Sequence, residues 1–358
     1  MIDLGTQLIS QGISVGMFYR VEPREAELPA RISSAFRIEV PVGPTPELRT
    51  LLFLLHTATK LFAARSRFDI CHLVVPQPMT AVAAAIAKIL DRPIVATVFA
   101  PYPEKGSKLA NYLHLVSERA VLRLADVVVF ECEATRRTFR SQDGIVIFNG
   151  IDTSYYYPDT VRRDQLRSKF GIEPKAIVVL YVGRIAENKG IRDLLEAFAS
   201  LPSAYLEKTR LVLVGPFEAK PSDFIPPALS LTNRVLLIGP VGKDQVRDYY
   251  QLSDAFVLPS YQEGISSSLV EAASCALPAV VSNVGGNPEV VIDGENGFVM
   301  EAGDVDGLRA SLIKLIDDKQ LRQAMSRQAR ERIKARFDIK AMTQQYLKVY
   351  LDLLRKGQ

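Results

Sequence analysis

The stretch AIVVLYVGRIAENKGIRDLLEAF, residues 176–198, decides the fold. Its opening run is apolar and rich in β-branched residues without alternation, as in a strand covered on both faces of a parallel sheet. A glycine turn with charged residues follows, and a helix is expected near 189–200, where apolar residues recur at helical spacing. Strand, turn and helix in this order open a βα unit. The pattern then repeats, with strands expected at LVLVG (211–215), VLLIG (235–239), AFVLP (255–259) and AVVSN (279–283). Upstream the same alternation predicts strands near 14–19, 37–40, 69–75, 93–98, 126–130 and 145–148, and helices near 46–64, 79–90 and 107–124. FNGIDTSYYYPD, residues 148–159, interrupts it with turn-forming residues, as a connection between two sheets does. From about 304 the chain reads as helix to its end, with Leu308, Leu312, Leu315 and Ile316 at core-facing spacing. The expected fold class is therefore α/β, with two Rossmann-like, doubly wound parallel-sheet domains over residues 1–155 and 156–336, followed by a terminal helix over 337–358. A doubly wound domain opens with a strand and a glycine turn, whereas this chain opens on the helical pattern DLGTQLISQG. The first domain is thus expected to lack its opening strand and glycine loop.

Composition narrows the function. The 358 residues are 48% hydrophobic and 23% charged, with 44 Lys plus Arg against 40 Asp plus Glu and a net charge of +4. With no long block of one sign, an electrostatically driven nucleic-acid binder is excluded as the leading reading. Cys71, Cys132 and Cys275 are far apart in apolar surroundings, which excludes a disulfide framework and a close-spaced zinc motif and suits a reduced, cytoplasmic protein. No run of eighteen apolar residues and no signal-peptide pattern occurs.

The chemistry concentrates in two segments. In LPSYQEGISSSLVEAASCALPAVVSNVGGNPEVV, residues 258–291, a strand ends at Pro259, a loop carries Glu263, Gly264 and Ile265, and a helix starts among Ser266, Ser267 and Ser268. Ligands of open parallel sheets bind at the carboxyl ends of strands, where this loop falls, and a helix N-terminus there offers N–H groups to a phosphate. Glu271 lies one turn beyond Ser267 on the same face. Two carboxylates beside a phosphate make sense when they meet hydroxyls, as sugars and riboses supply. The plainer reading makes the serines a helix cap, Glu263 a solvated acid and Glu271 an acid favoured by the helix dipole. In YVGRIAENKG, residues 181–190, Arg184 follows the first strand of the second domain and Lys189 stands at the helix entry. Such a pair suits a diphosphate, Arg as a fork and Lys as a point charge, with Gly183 and Gly190 permitting close approach.

GRIAENKG at 183–190, EGISSSLVE at 263–271 with its two glutamates separated by seven residues, and VGGNPEVVIDGENGFV at 284–299 together resemble the glycosyltransferases of family 4. Weaker likeness runs through ADVVVFECEATRR at 125–137 and FNGID at 148–152. The resemblance implies two Rossmann-like domains facing a cleft, the GT-B architecture, with a final helix packing back on the first domain. It implies a retaining transferase using a nucleotide diphosphate sugar, UDP- or GDP-linked, with a glycan, lipid-linked or small-molecule acceptor held by the first domain. Carried over by position, Arg184 and Lys189 hold the diphosphate, Glu263 meets the donor sugar's hydroxyls with Gly264, Ile265 and Ser266 around it, and Glu271 meets the ribose. Neither a metal nor a cofactor is implied.

The sequence departs from the family at its start and at Phe99, which stands where a histidine is often found. Phenylalanine cannot move a proton. His72, at another strand end, reads as a core histidine. Two readings stay open: an enzyme whose functional polypeptide extends upstream, which is preferred, and a nucleotide-sugar-binding subunit that has lost turnover. A sugar-nucleotide epimerase is a more distant third. KGSKLANYLHLVSERAVLRLA, residues 105–125, puts Leu109, Leu113, Val116, Ala120 and Leu124 on one side with Lys105, Lys108, Arg119 and Arg123 nearby. Such a helix covers a sheet, or rests peripherally on a membrane surface beside a lipid-linked acceptor.

Overall fold

The computed structural model describes residues 2–15, 55, 57–75, 80–100, 108–139, 143–218 and 234–356. The strand expected near 37–40, most of that near 14–19 and the first part of the helix near 46–64 lie outside the described residues. The chain forms two compact units, one of residues Met1–Phe148 with Ile339–Gln358, the other of Asn149–Asp338.

In the first unit, β1 (Cys71–Val75), β2 (Ile94–Val98), β3 (Val127–Phe130) and β4 (Ile145–Val146) form a parallel sheet in that order. Cys71 stands opposite Ile94, Val95 opposite Val127 and Val129 opposite Ile145. β2 is buried along its whole length because both faces are covered. Ile94, Ala96 and Val98 point to a core shared with the helices Thr80–Ile89 and Lys108–Leu124. Val95 points the other way, to Leu4 and Leu8 of the helix Ile2–Ser10 and to Ile339, Met342 and Tyr346 of the helix Ile339–Lys356.

Of the apolar stripe expected on the helix Lys108–Leu124, Leu124 packs against the core and Val116 does not, while the side chains of Leu109 and Leu113 lie outside the described residues. Ser117, Val121 and Leu122 are buried, whereas Leu115 and Val116 are 43% and 44% exposed. Val121 and Leu122 join residues of β1, β2 and β3 in the core, and helical periodicity then carries Ser117 inward and turns Val116 out.

His72 is used by the core of this unit. Its Nδ1 lies 2.7 Å from the Tyr350 hydroxyl and its Nε2 2.7 Å from Thr97 Oγ1, which in turn lies 2.9 Å from the Tyr346 hydroxyl. Burial lowers its pKa to about 3, so the ring is neutral.

The second unit holds six parallel strands: β5 (Ile177–Val182), β6 (Thr209–Val214), β7 (Val235–Gly239), β8 (Ala255–Leu258), β9 (Ala279–Ser282) and β10 (Gly297–Met300). Their order is β10-β9-β8-β5-β6-β7. The chain therefore builds outward from β5 through β6 to β7, returns across β5 to β8, and builds outward again. The strand order reverses between β5 and β8, and the crevice at their carboxyl ends is the place where such sheets take ligands. At their amino ends, Asp254 fixes the register. Its Oδ1 accepts from Arg163 at 2.7 Å, and its Oδ2 accepts from the buried Arg167 at 3.1 Å and from the Val178 amide at 2.8 Å.

Candidate functional site

Each chemistry-bearing segment leaves a strand at the reversal point. After β5 the chain makes a short helical turn, Glu187–Lys189, then enters the helix Ile191–Ala199 through Gly190. A Cβ at Gly190 would lie 2.0 Å from the Pro259 carbonyl oxygen, so this turn touches the end of β8. The Tyr261 amide donates to the Asn188 carbonyl at 3.0 Å across the same seam. Beyond β9, Gly285 adopts φ +51°, and a Cβ there would lie 1.9 Å from the Glu263 carbonyl oxygen. The Gly286 amide donates to the Gly264 carbonyl at 2.8 Å. Gly286 itself has φ −85°, an ordinary value, so only the first glycine of that pair supplies unusual backbone. Pro288 sits in the first turn of the helix Asn287–Val290.

At the seam Lys189 Nζ donates to Glu263 Oε1 at 2.7 Å. The two side chains are only 14% and 10% exposed, so this is a largely desolvated ion pair. Ser260 Oγ donates to the same oxygen at 2.7 Å. Among the described residues nothing donates to Glu263 Oε2, which leaves that atom to accept from an incoming hydroxyl. Lys189 has three N–H donors and can hold a second anion while keeping Glu263.

Arg184, one residue past Gly183, pairs with Glu218, and these side chains are 42% and 36% exposed. An ion pair so wet is weak, and exchanging its carboxylate for a phosphate costs little. Glu218 arrives there because Ile185 bridges Phe217. The Tyr181 hydroxyl donates to the Arg184 carbonyl at 2.7 Å. Burial raises its pKa, the Glu263 charge raises it further and Arg184 opposes, so both side chains act on one hydroxyl.

The helix Ser267–Ser274 starts at this seam with Ser266 as its N-cap and no side-chain cap hydrogen bond. Ser266 Oγ lies 3.0 Å from Ser268 Oγ instead. The serines therefore do not cap in the ordinary way, and the first amides of the helix are not taken by a cap side chain. Ile265 is buried beneath the turn. Glu271, one turn along, is not paired with Lys189: its Oε2 accepts from the Tyr250 hydroxyl at 2.9 Å.

The structure thus joins Lys189 to Glu263 where the turns after β5 and β8 meet, with Gly264, Ile265, Ser266 and Ser267 continuing that loop into its helix; it sets Glu271 on this helix, and Gly183 and Arg184 directly after β5, with the Arg184 side chain on Glu218. The sequence reading missed Ser260, Tyr181, Glu218 and Tyr250. Ser260 carries a signal, a hydroxyl three residues before an acid at a strand end, and Tyr181 stands three residues before Arg184, whereas Glu218 and Tyr250 depend on pairings distant in sequence.

A family model described as Glycosyl transferases group 1 matches residues 162–332, and one described as Glycosyltransferase Family 4 matches residues 1–155. The chain belongs to glycosyltransferase family 4. The chain is similar to N-acetyl-alpha-D-glucosaminyl L-malate synthase of Bacillus anthracis, 30% identical over 217 residues that cover 60% of this chain and 55% of that protein. It is also similar to the capsular polysaccharide biosynthesis glycosyltransferase CapM of Staphylococcus aureus, 30% identical over 183 residues covering 51% and 47%. It spans about half the length of these curated relatives. The HepE protein of Anabaena, solved in complex with UDP, superposes with TM-score 0.80 and 22% identity over 98% of this chain and 94% of that one. This likeness assigns the family-4 chain its fold class, two doubly wound units of the GT-B type. Among the described residues no helix is long and apolar enough to cross a membrane.

Proposed function

We propose that this chain transfers a sugar from a UDP- or GDP-linked donor to a hydroxyl of a glycan, lipid-linked or small-molecule acceptor, with retention of anomeric configuration. The Lys189–Glu263 pair at the reversal point of the second sheet is the observation that carries the reading. Negative charge grows on the departing diphosphate as the glycosidic bond breaks, and fixed cations favour that state over the ground state. Lys189 and Arg184 are those cations, with the first amides of the helix Ser267–Ser274 as further donors. Arg184 gives up a weak surface partner, and Lys189 keeps Glu263 in place while meeting phosphate. Glu263 Oε2 takes a hydroxyl of the donor sugar, and Glu271 takes the ribose hydroxyls. The leaving diphosphate accepts the acceptor's proton on the face it departs from, which retains configuration. Two cations and helix amides supply the charge stabilisation, so this reading assigns no metal. The named activities of the relatives and the UDP bound to HepE agree with such a donor.

Replacing both Arg184 and Lys189 by alanine tests this. Wild-type protein should melt at a higher temperature with millimolar UDP or GDP, because a ligand of the native state stabilises it. The double variant should lose that gain. A full thermal shift in the double variant would exclude these residues as the diphosphate clamp.

A further inference from the structure

Glu271 is held in a frame of aromatic residues that no motif of the chain announces. Tyr250, at the end of the helix Lys243–Leu252, is fully buried, and its hydroxyl donates to Glu271 Oε2 at 2.9 Å. Its ring stands edge-on to Tyr156 with centroids 6.0 Å apart and leans on Phe256 at 6.3 Å. Burial, and then the Glu271 charge, raise the Tyr250 pKa well above its usual range, so the phenol keeps its proton and acts as a donor. Tyr156 is also buried, and its hydroxyl has no hydrogen-bond partner of normal geometry among the described residues. Burial raises its pKa, and the Glu271 charge raises it further.

Tyr156 is fixed from behind. Its carbonyl accepts from Ser274 Oγ and from Arg330 Nη1, each at 2.7 Å, and Arg330 Nη2 reaches the Thr153 carbonyl at 2.8 Å. Ser274 lies three residues beyond Glu271 on the same helix, so the 149–157 segment and that helix form one rigid frame around the carboxylate.

We propose that Tyr250 is a positioning residue for ribose recognition: by holding Oε2 it fixes the Glu271 carboxylate in the orientation that accepts the ribose hydroxyls. The inference rests on the reading that Glu271 meets the ribose. A glutamate loses considerable side-chain freedom when ordered, and a carboxylate already anchored does not bear that cost again at each binding event.

The test compares calorimetric affinities of UDP and GDP with those of their 2′,3′-dideoxy analogues, for wild type, Tyr250→Phe and Glu271→Gln. Wild type should prefer the ribonucleotide by roughly 10-fold or more, as expected for hydrogen bonds to a charged group. Tyr250→Phe should reduce that preference by about 5- to 10-fold, the loss of one positioned hydrogen bond, and leave the affinity for the dideoxy analogue unchanged. If Tyr250→Phe weakens both ligands equally, or neither, while Glu271→Gln abolishes the preference, Tyr250 does not position the carboxylate and the inference is overturned although the ribose reading stands. If wild type shows no preference, or binds neither nucleotide, the ribose reading falls and the inference with it. Should Tyr250→Phe fail to fold, Tyr250→Phe combined with Glu271→Gln replaces it. That double variant should match Glu271→Gln with every ligand, and a further loss in both the ribo and dideoxy forms would refute an action through Glu271.

Discussion

Replacing Gly285 by alanine probes how tightly the turn after β9 rests on the Glu263 loop. Gly285 has φ +51°, where an L-residue costs roughly 1–2 kcal/mol. The new Cβ would also lie 1.9 Å from the Glu263 carbonyl oxygen, 2.7 Å from its carbonyl carbon and 3.1 Å from the Gly264 oxygen. Backbone atoms cannot swing aside as a side-chain end can, so one of the two loops must move, and forcing extra atoms into a packed site costs about 1–3 kcal/mol more. The sum is about 2–5 kcal/mol. For a unit of this size each kcal/mol lowers Tm by about 2–4 °C, which predicts a fall of about 4–20 °C. Gly171 provides the control, because it has φ +62° and nothing lies within 4 Å of its Cβ position. Gly171→Ala should show the backbone cost alone, with a Tm loss less than half as large and the UDP-induced stabilisation intact. Gly285→Ala should lose much of that stabilisation as well, because the displaced backbone belongs to Glu263. Differential scanning calorimetry with and without UDP reads both quantities. Equal Tm losses for the two variants would refute the close approach.

Two further outcomes are expected. Asp254→Asn should destabilise the second unit by about 3–5 kcal/mol, read from the urea midpoint, because the buried Arg167 would lose its counter-charge; a loss under 1 kcal/mol would mean that the arginine is hydrated. His72 has a pKa of about 3 in the fold against 6.5 when unperturbed, so between those values the unfolded chain binds the extra proton. Its contribution to stability is therefore complete above about pH 6.5 and falls as the pH drops toward 3, by at most about 1.4 kcal/mol per pH unit. His72→Gln should lose less Tm than wild type between pH 7 and pH 5, and parallel losses would exclude the imidazole as the cause.

The strands of the second sheet are legible because they are unbroken apolar runs, and β5 announces itself by length and by the glycine turn behind it. β10 is not legible, because GFVM is short and opens on a glycine. The sequence places Lys189 and Glu263 beside two strand ends, but 74 residues separate them, and only the order β8-β5 makes them neighbours. Arg184 meets Glu218 through a bridge between irregular segments that leave no pattern. Tyr250 reads as one more apolar position on an amphipathic helix, because the carboxylate that gives its hydroxyl a task lies across the fold. On the helix Lys108–Leu124, spacing shows that an apolar stripe exists but not which residues the neighbouring sheet selects.

The first unit is interrupted in sequence: Leu4, Leu8, Val95 and Val129 share a core with Ile339, Met342 and Tyr346, which follow the whole second unit. A ribosome makes the N-terminal sheet early but delivers its last covering helix after every strand of the continuous second unit. Domains emerging from the ribosome generally fold as units in the order of synthesis. Here the later-encoded body is the first that can close, and the nascent N-terminal half waits with one apolar face covered only by the helix Ile2–Ser10 until the helix Ile339–Lys356 is made.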